Sequence, residues 1–332
     1  MDNKYLLRLA LCRMPFLTLR EKKLLENKLD TIDDLALLSK KELSEMVGRV
    51  VRSTLFKPDT IQKRIERDCK IMHSFHIGVV FLDEKKYPSL LKEVYKPPYA
   101  LFYRGNAEVL SMPSVGVVGT RRATGQGRKH AMKFSKELAE QNYCVVSGLA
   151  FGIDAAAHTG ALSAKIATTD GKGFSNGKTV AILGSGPDVI RPALNGKIAS
   201  QILEKGGCIA SEYPPEEKPQ KWHYPQRNRI ISGLSQAITV IEAPPASGAL
   251  ITADFAIEQN RDLFFHSRAL EYEQIMQIPV NPANSKKALS MRVSKYVNEG
   301  APVVNSAGDV LTLLKKSNES KIVQQSLDFG DK

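Results

Sequence analysis

The chain has 332 residues, 42% of them hydrophobic, which is enough to bury a sizeable core and to divide into two or three domains. Lys and Arg number 47 against 35 Asp and Glu, and a formal charge of +12 favours a polyanionic partner such as nucleic acid or an anionic membrane. No apolar run is long enough to span a bilayer and the N-terminus MDNKYLLRLALCRM lacks signal-peptide features, so a cytoplasmic protein without membrane attachment is expected. Cys12, Cys69, Cys144 and Cys208 stand singly among apolar neighbours, the pattern of reduced core thiols rather than of disulfides or zinc ligands. His73 and His76 form an HxxH without an acidic or thiol partner at metal-site spacing, so no metal and no cofactor is expected.

Taken in order, residues 1–75 have leucines at helical spacing, with Ser39 and Ser53 as possible caps, and predict a small helical domain. Such a domain can cradle a DNA backbone or serve as a docking unit or spacer. Residues 76–113 contain the strand-like run HIGVVFL, a proline-rich extended connector and a short strand at Leu101–Tyr103. From residue 114 to about 315, strands are predicted at Val115–Val118, Cys144–Ser147, Val180–Leu183, Cys208–Ser211, Ala237–Glu242 and Asp262–His266, with helices between most of them. This alternation is that of an α/β protein with a doubly wound, mostly parallel sheet. Residues 163–178 read as an inserted surface loop, 267–290 carry no clear pattern, and 316–332 read as a disordered polar tail.

In such sheets ligands bind outside the carboxyl ends of the strands, so the loops GTRR, SGLAFGID, GSGPD, SEYPP and EAPPASG belong together. They are small, polar and glycine-rich, which suits a phosphate chain better than an apolar ligand. The first carries Gly119, Thr120, Arg121 and Arg122 just before a helix that Thr124 can cap, where amides and guanidinium groups together favour an anion. An ordinary βα turn with solvated arginines would look the same in isolation. A second constellation, KWHYPQRNRIISGLS, interleaves Lys221, Arg227 and Arg229 with Trp222 and Tyr224, as binding to single strands requires. Its Asn228 adds an amide, and Arg227–Arg229 are expected at the N-terminal end of a helix, facing Arg121 and Arg122 across the crevice.

The runs VGVVGTRRAT, VVSGLAFGIDAAAHTGAL, AILGSGPDVIRP, SEYPP, YPQRNRIISGLS and VIEAPPASGALITADFAIEQNR resemble, in order, the motifs of the bacterial DNA-processing protein A (DprA/Smf) family. The resemblance covers about 200 residues, and the helical N-terminus is similar to the sterile-alpha-motif-like domain of many members. It implies an extended Rossmann-like fold that binds single-stranded DNA without sequence preference, forms homodimers and loads RecA during natural transformation. It also implies phosphate contact by Gly119, Thr120 and Arg121 and by Arg227, Asn228 and Arg229, with Ser147, Gly148, Ser247 and Gly248 as further pocket positions. Tyr224 stands where most members have Phe. The family's Gly-x-Asn-x-Leu-Ile-x-x-Gly-Ala motif survives only in Glu299, Gly300 and Ala301, and the basic winged-helix domain of some members is not expected after Leu314.

Phosphoribohydrolases that cleave nucleotides share this sheet and give the alternative, an enzyme. Their PGGxGTxxE motif is replaced here by PPASGALITADFAIE, with Glu258 ten positions after Gly248 and about three helical turns away. Asp154 and His158, four apart, could share a helix face as a base and its orienting carboxylate, but such pairs more often secure a helix start. The expectation is therefore a binding protein and not an enzyme.

Overall fold

The computed structural model describes residues 2–167, 173–276 and 291–328. Five helices open the chain: α1 (Asn3–Cys12), α2 (Leu19–Lys28), α3 (Ile32–Leu37), α4 (Lys40–Val47) and α5 (Pro58–Ser74). Thr18, Thr31 and Ser39 close capping boxes with Glu21, Asp34 and Glu42, satisfying amides that a helix start leaves unpaired. Ser53 caps nothing, because α5 starts at Pro58, whose ring presets the first turn. The helices bury Leu7, Leu11, Leu25, Leu35 and Leu43 completely.

The stretch expected to be a connector is part of the sheet. It forms β1 (Ile77–Phe81), α6 (Ser89–Lys92) and β2 (Ala100–Gly105), and the two strands pair antiparallel. Phe81, Tyr99 and Phe102 complete the apolar cluster of the N-terminal helices.

Next come β3 (Ser114–Val118), α7 (Gly125–Glu140), β4 (Cys144–Ser147), α8 (Ile153–Ser163), β5 (Lys165–Ala167), β6 (Phe174–Asn176), β7 (Thr179–Ile182), α9 (Gly196–Glu204) and β8 (Cys208–Ser211). The chain continues through α10 (His223–Leu234), β9 (Ala237–Val240), α11 (Gly248–Glu258), β10 (Asp262–His266), α12 (Ser267–Met276), α13 (Val293–Asn298), β11 (Val303–Val304) and α14 (Ala307–Asp328). Every residue of β3, β4, β7, β8 and β9 is buried, which is why these strands read as unbroken apolar runs. All six strands expected beyond residue 114 are present, with ends shifted by at most two residues.

The sheet runs β1-β2-β8-β7-β4-β3-β9-β10-β11 and is parallel from β8 to β11. β2 joins β8 antiparallel, so the first two strands extend its edge. From β3 the chain winds outward through β4, β7 and β8, and then returns through α10 to β9 on β3's other side. The β3/β9 junction is thus the topological switch point, where diverging loops leave an open crevice. One face is covered by α10 and α11, and the other by α7, α8 and α14.

Three segments differ from expectation. The insertion folds into the antiparallel pair β5–β6, with residues 168–172 outside the described residues. Ser267–Met276 is helical and buries Ala269 and Tyr272, a short apolar face too sparse to stand out in sequence; residues 277–290 lie outside the described residues. The last helix continues to Asp328 where a disordered tail from residue 316 was expected, and residues 329–332 lie outside the described residues.

Candidate nucleic-acid interface

A crevice of about 550 Å³ opens at the switch point. Gly119, Thr120, Arg121 and Arg122 after β3 form one wall, and Ser247 and Gly248 at the start of α11 form another. Tyr224, Arg227 and Asn228 on α10, with Lys221 just before it, close the crevice. The two sequence constellations therefore meet in one place, although 100 or so residues separate them.

Each loop is fixed by the strand that delivers it. The Thr120 amide donates to the Glu242 carbonyl (2.7 Å), tying the loop after β3 to the loop after β9, and Thr120 Oγ1 accepts from the Arg122 amide (3.2 Å). Arg121 and Arg122 stay exposed, and the Arg121 guanidinium lies 5.0 Å from the centre of the Tyr224 ring. That cation–π contact holds a charge and an aromatic ring side by side at the mouth. Lys221 is exposed, and the neighbouring Trp222 is 47% exposed with its Nε1 donating to Gln220 Oε1 (2.7 Å).

Arg227 is buried, and its Nη1 donates to the Ile182 carbonyl (2.9 Å) while Nη2 stands 3.8 Å from Asp154 Oδ2. Burial pushes this guanidinium below its ordinary pKa, and burial likewise raises the Asp154 carboxyl, which Arg227 opposes. Gly148 packs against the Arg227 guanidinium so closely that any Cβ there would collide with it. Asn228 Nδ2 donates to the Gly248 carbonyl (3.0 Å), joining α10 to the start of α11.

Three expected positions fall elsewhere. Ser147 is fully buried as the last residue of β4, and its hydroxyl donates to the Val117 carbonyl (2.6 Å), so the residue holds two strands together and does not line the crevice. Gly148 lies behind Arg227 rather than on the wall. Arg229, two residues beyond Arg227 on a helix, points away and pairs with Glu212. The Arg-Asn-Arg run also begins at the fifth residue of α10, whose first is His223, and so lies a turn inside the helix rather than at its end.

Glu242, which the sequence did not single out, and Asp154 decide which helix starts are open. The helix start next to Arg121 and Arg122 is already occupied: the fully buried Glu242 carboxylate accepts from the Thr124 amide (2.9 Å) and hydroxyl (2.7 Å), and Arg268 Nη2 lies 3.1 Å away. Gly127, in the first turn of α7, has no room for a Cβ beside that carboxylate. The first turn of α8 holds Asp154, which accepts from the backbone at Ala150 and Gly148. α11 differs, since it has no acidic residue in its first turn and no side-chain cap bond from Ser247. Among the described residues Ser247 Oγ has no hydrogen-bond partner. Gly248 and Ala249 of the first turn of α11 line the crevice with Arg121, Arg122 and Lys221, while the Leu250 amide donates to the Ser247 carbonyl (3.1 Å), and a helix start so placed beside basic side chains attracts an anion. The only sequence signal for Glu242 is a lone acid ending the strand before small residues.

The enzymatic alternative finds little support in the geometry. Glu258 is exposed at the far end of α11 from the crevice. His158 is fully buried with Nδ1 2.7 Å from Thr179 Oγ1, and burial, with Arg227 adding to it, holds its pKa down to about 3. Asp154 turns instead to Arg227 and the loop amides. Among the described residues no group of three His, Cys, Asp or Glu could hold a metal, and no helix is long and apolar enough to cross a membrane.

A doubly wound sheet with a basic, aromatic-rimmed crevice at its switch point defines a Rossmann-like protein. A model of the family described as DNA recombination-mediator protein A matches residues 78–315, and the chain belongs to that family. It is 45% identical over 258 residues to Protein Smf of Synechocystis sp., an alignment covering 75% of this chain and 58% of that protein, so less than two thirds of that relative is spanned. It is 35% identical over 243 residues to the DNA processing protein DprA of Bacillus subtilis, covering 73% of each. The DNA processing protein A of Streptococcus pneumoniae aligns with a TM-score of 0.64 at 32% identity, covering 94% of this chain and 98% of that one. That of Helicobacter pylori, solved for its single-stranded DNA binding mode, has a TM-score of 0.57 at 24% identity over 73% of this chain and 97% of that one, and shows the fold.

Proposed function

We propose that the crevice binds single-stranded DNA by its phosphate backbone and without sequence preference, and that the protein is a binding protein rather than an enzyme. The observation that carries this reading is the uncapped start of α11 facing the exposed Arg121, Arg122 and Lys221, while the starts of α7 and α8 are filled by internal carboxylates. A phosphate at α11 would put the adjacent base near Tyr224, and paired bases cannot offer their faces to such a ring. Each contact made by an arginine or lysine releases counterions, so affinity falls as salt rises. Family membership supports the finer part of the reading: a cytoplasmic homodimer that hands the bound strand to RecA. Two crevices on one dimer would grip a strand long enough to reach both.

The test is fluorescence anisotropy with labelled single-stranded, duplex and tailed oligonucleotides of several sequences at two salt concentrations. Preference for single strands, indifference to sequence and weaker binding at high salt are expected. A flat salt response, or equal affinity for duplex, would overturn the reading. Light scattering together with a length series checks the dimer. RecA filament growth on strands already covered by a single-strand-binding protein checks the loading, and release of free base from nucleoside monophosphates would favour the enzyme.

A further inference from the structure

We propose that Arg13, just after α1, and Arg67, on α5, are positioning residues that brace the loop between β8 and α10 and thereby set where Lys221 and Tyr224 stand. The inference rests on reading the crevice as a nucleic-acid interface.

The loop runs from Glu212 to Trp222 and contains Pro214, Pro215 and Pro219, three residues with no amide to donate, while its Glu217 amide donates to the Pro214 carbonyl (3.2 Å). Its Glu216 has a φ of 61°, a left-handed conformation costly for a side chain with a Cβ and kept only when the surroundings impose it. Those surroundings come from two sides. From within the sheet domain, the Asp188 carboxylate accepts from the Glu216 amide (3.0 Å) and the Gly186 amide donates to the Glu217 carbonyl (2.9 Å). From the helical side, Arg13 donates to the Pro215 carbonyl and its Nη1 reaches Glu217 (3.3 Å), while Arg67 Nη2 lies 2.6 Å from Glu216.

Arg13 is itself immobilised. It makes a two-pronged pair with Asp68 of α5 (2.8 and 2.6 Å), a carboxylate only 2% exposed, so the loop is fastened to a rigid group rather than to a mobile side chain. Beyond the braced segment the chain passes directly into Lys221 and Tyr224. The ends of the loop are also locked to each other, because the Tyr213 ring stacks on His223 at 3.9 Å and Trp222 packs edge-on against His223 at 4.1 Å. A shift at residues 215–217 therefore moves the start of α10, with Lys221 just before it and Tyr224 on it. The brace has an electrostatic effect as well: Arg13 and Arg67 pair the two carboxylates that precede Lys221, which would otherwise subtract from the positive field of the crevice.

Trp222 is the only tryptophan, so its emission reports on this loop alone. Three variants of the full chain make the test: Arg67→Glu; Arg67→Glu combined with Glu216→Arg; and Arg13→Met combined with Asp68→Leu, which leaves no orphan buried charge. Circular-dichroism melting verifies folding, and Trp222 emission and acrylamide quenching are read without DNA, followed by oligo-dT affinity. The first and third variants are expected to shift Trp222 emission and weaken binding roughly three- to tenfold, the size of one lost hydrogen bond of ordinary net strength. The charge swap is expected to restore both, which a merely structural role for Arg67 would not do. Unchanged emission and affinity in folded Arg67→Glu would overturn the brace, and that arm decides if the Arg13 variant fails to fold. Arg121→Ala runs beside them: if the unaltered protein does not bind oligo-dT, or Arg121→Ala binds equally well, the reading of the crevice fails, while Trp222 emission still decides the brace.

Discussion

Arg121 and Arg122 sit in a loop and both reach solvent at the crevice mouth, whereas Arg227 and Arg229 sit on α10 and part company. Residues two apart on a helix point about 200° from one another, so one arginine enters the protein beside Asp154 and the other turns to Glu212. In sequence the two pairs are equally basic. A dense run of charge thus reads directly as a binding surface where the backbone is irregular, but on a helix only part of it can face one ligand.

The largest expected effect tests the buried side of this contrast. Arg227→Ala would leave Asp154 and the Ile182 carbonyl without their partner and should lower stability by about 3–5 kcal/mol in urea unfolding. Arg229→Ala should act the same way through Glu212, whose pKa burial raises, and should cost stability before it costs affinity. Loss of DNA binding at unaltered stability in either variant would break the comparison. On the exposed side, Arg121→Ala should weaken single-strand binding by about 1–3 kcal/mol with an unchanged melting temperature.

Over the first pH unit below about 6.5, a smaller effect comes from pH. The unfolded chain protonates His158 near its ordinary value of about 6.5, but the buried ring resists until about 3. The folded pKa is the lower one, so this contribution is complete above about 6.5 and is lost as pH falls toward about 3, by up to ~1.4 kcal/mol per unit. Burial holds His266 down to about 4 with the same sign. Urea midpoints at neutral and mildly acidic pH should fall on acidification, and His158→Gln should flatten part of the slope. The smallest effect belongs to Lys221→Ala: a slightly weaker complex whose salt dependence corresponds to about one fewer phosphate contact.

The legible parts of the molecule are those governed by local rules. Val115, Val117 and Val118 announce a strand buried on both faces, and Thr124 sits at the cap position of α7. The loops were legible as a group because a doubly wound sheet gathers them at one edge. What escaped depends on long-range pairing. Nothing near Glu242 in sequence says that it seals a helix start 118 residues earlier. Ser147 and Gly148 stand short of the crevice, since the last residue of β4 still faces the sheet interior while Ala150, three residues on, lines it.

The apolar cluster shared by the N-terminal helices and strands β1 and β2 bears on how the molecule comes apart. Phe81 and Phe102 pack under the helices, while β2 is bonded to β8 in the same sheet that ends at the crevice. Detaching the helices would strip one face of those strands and leave a large aromatic surface in water, so neither part can melt at no cost to the other. The expected denaturation profile is one cooperative transition reported alike by Trp222 fluorescence and by overall helicity, rather than early loss of a helical appendage followed by the sheet.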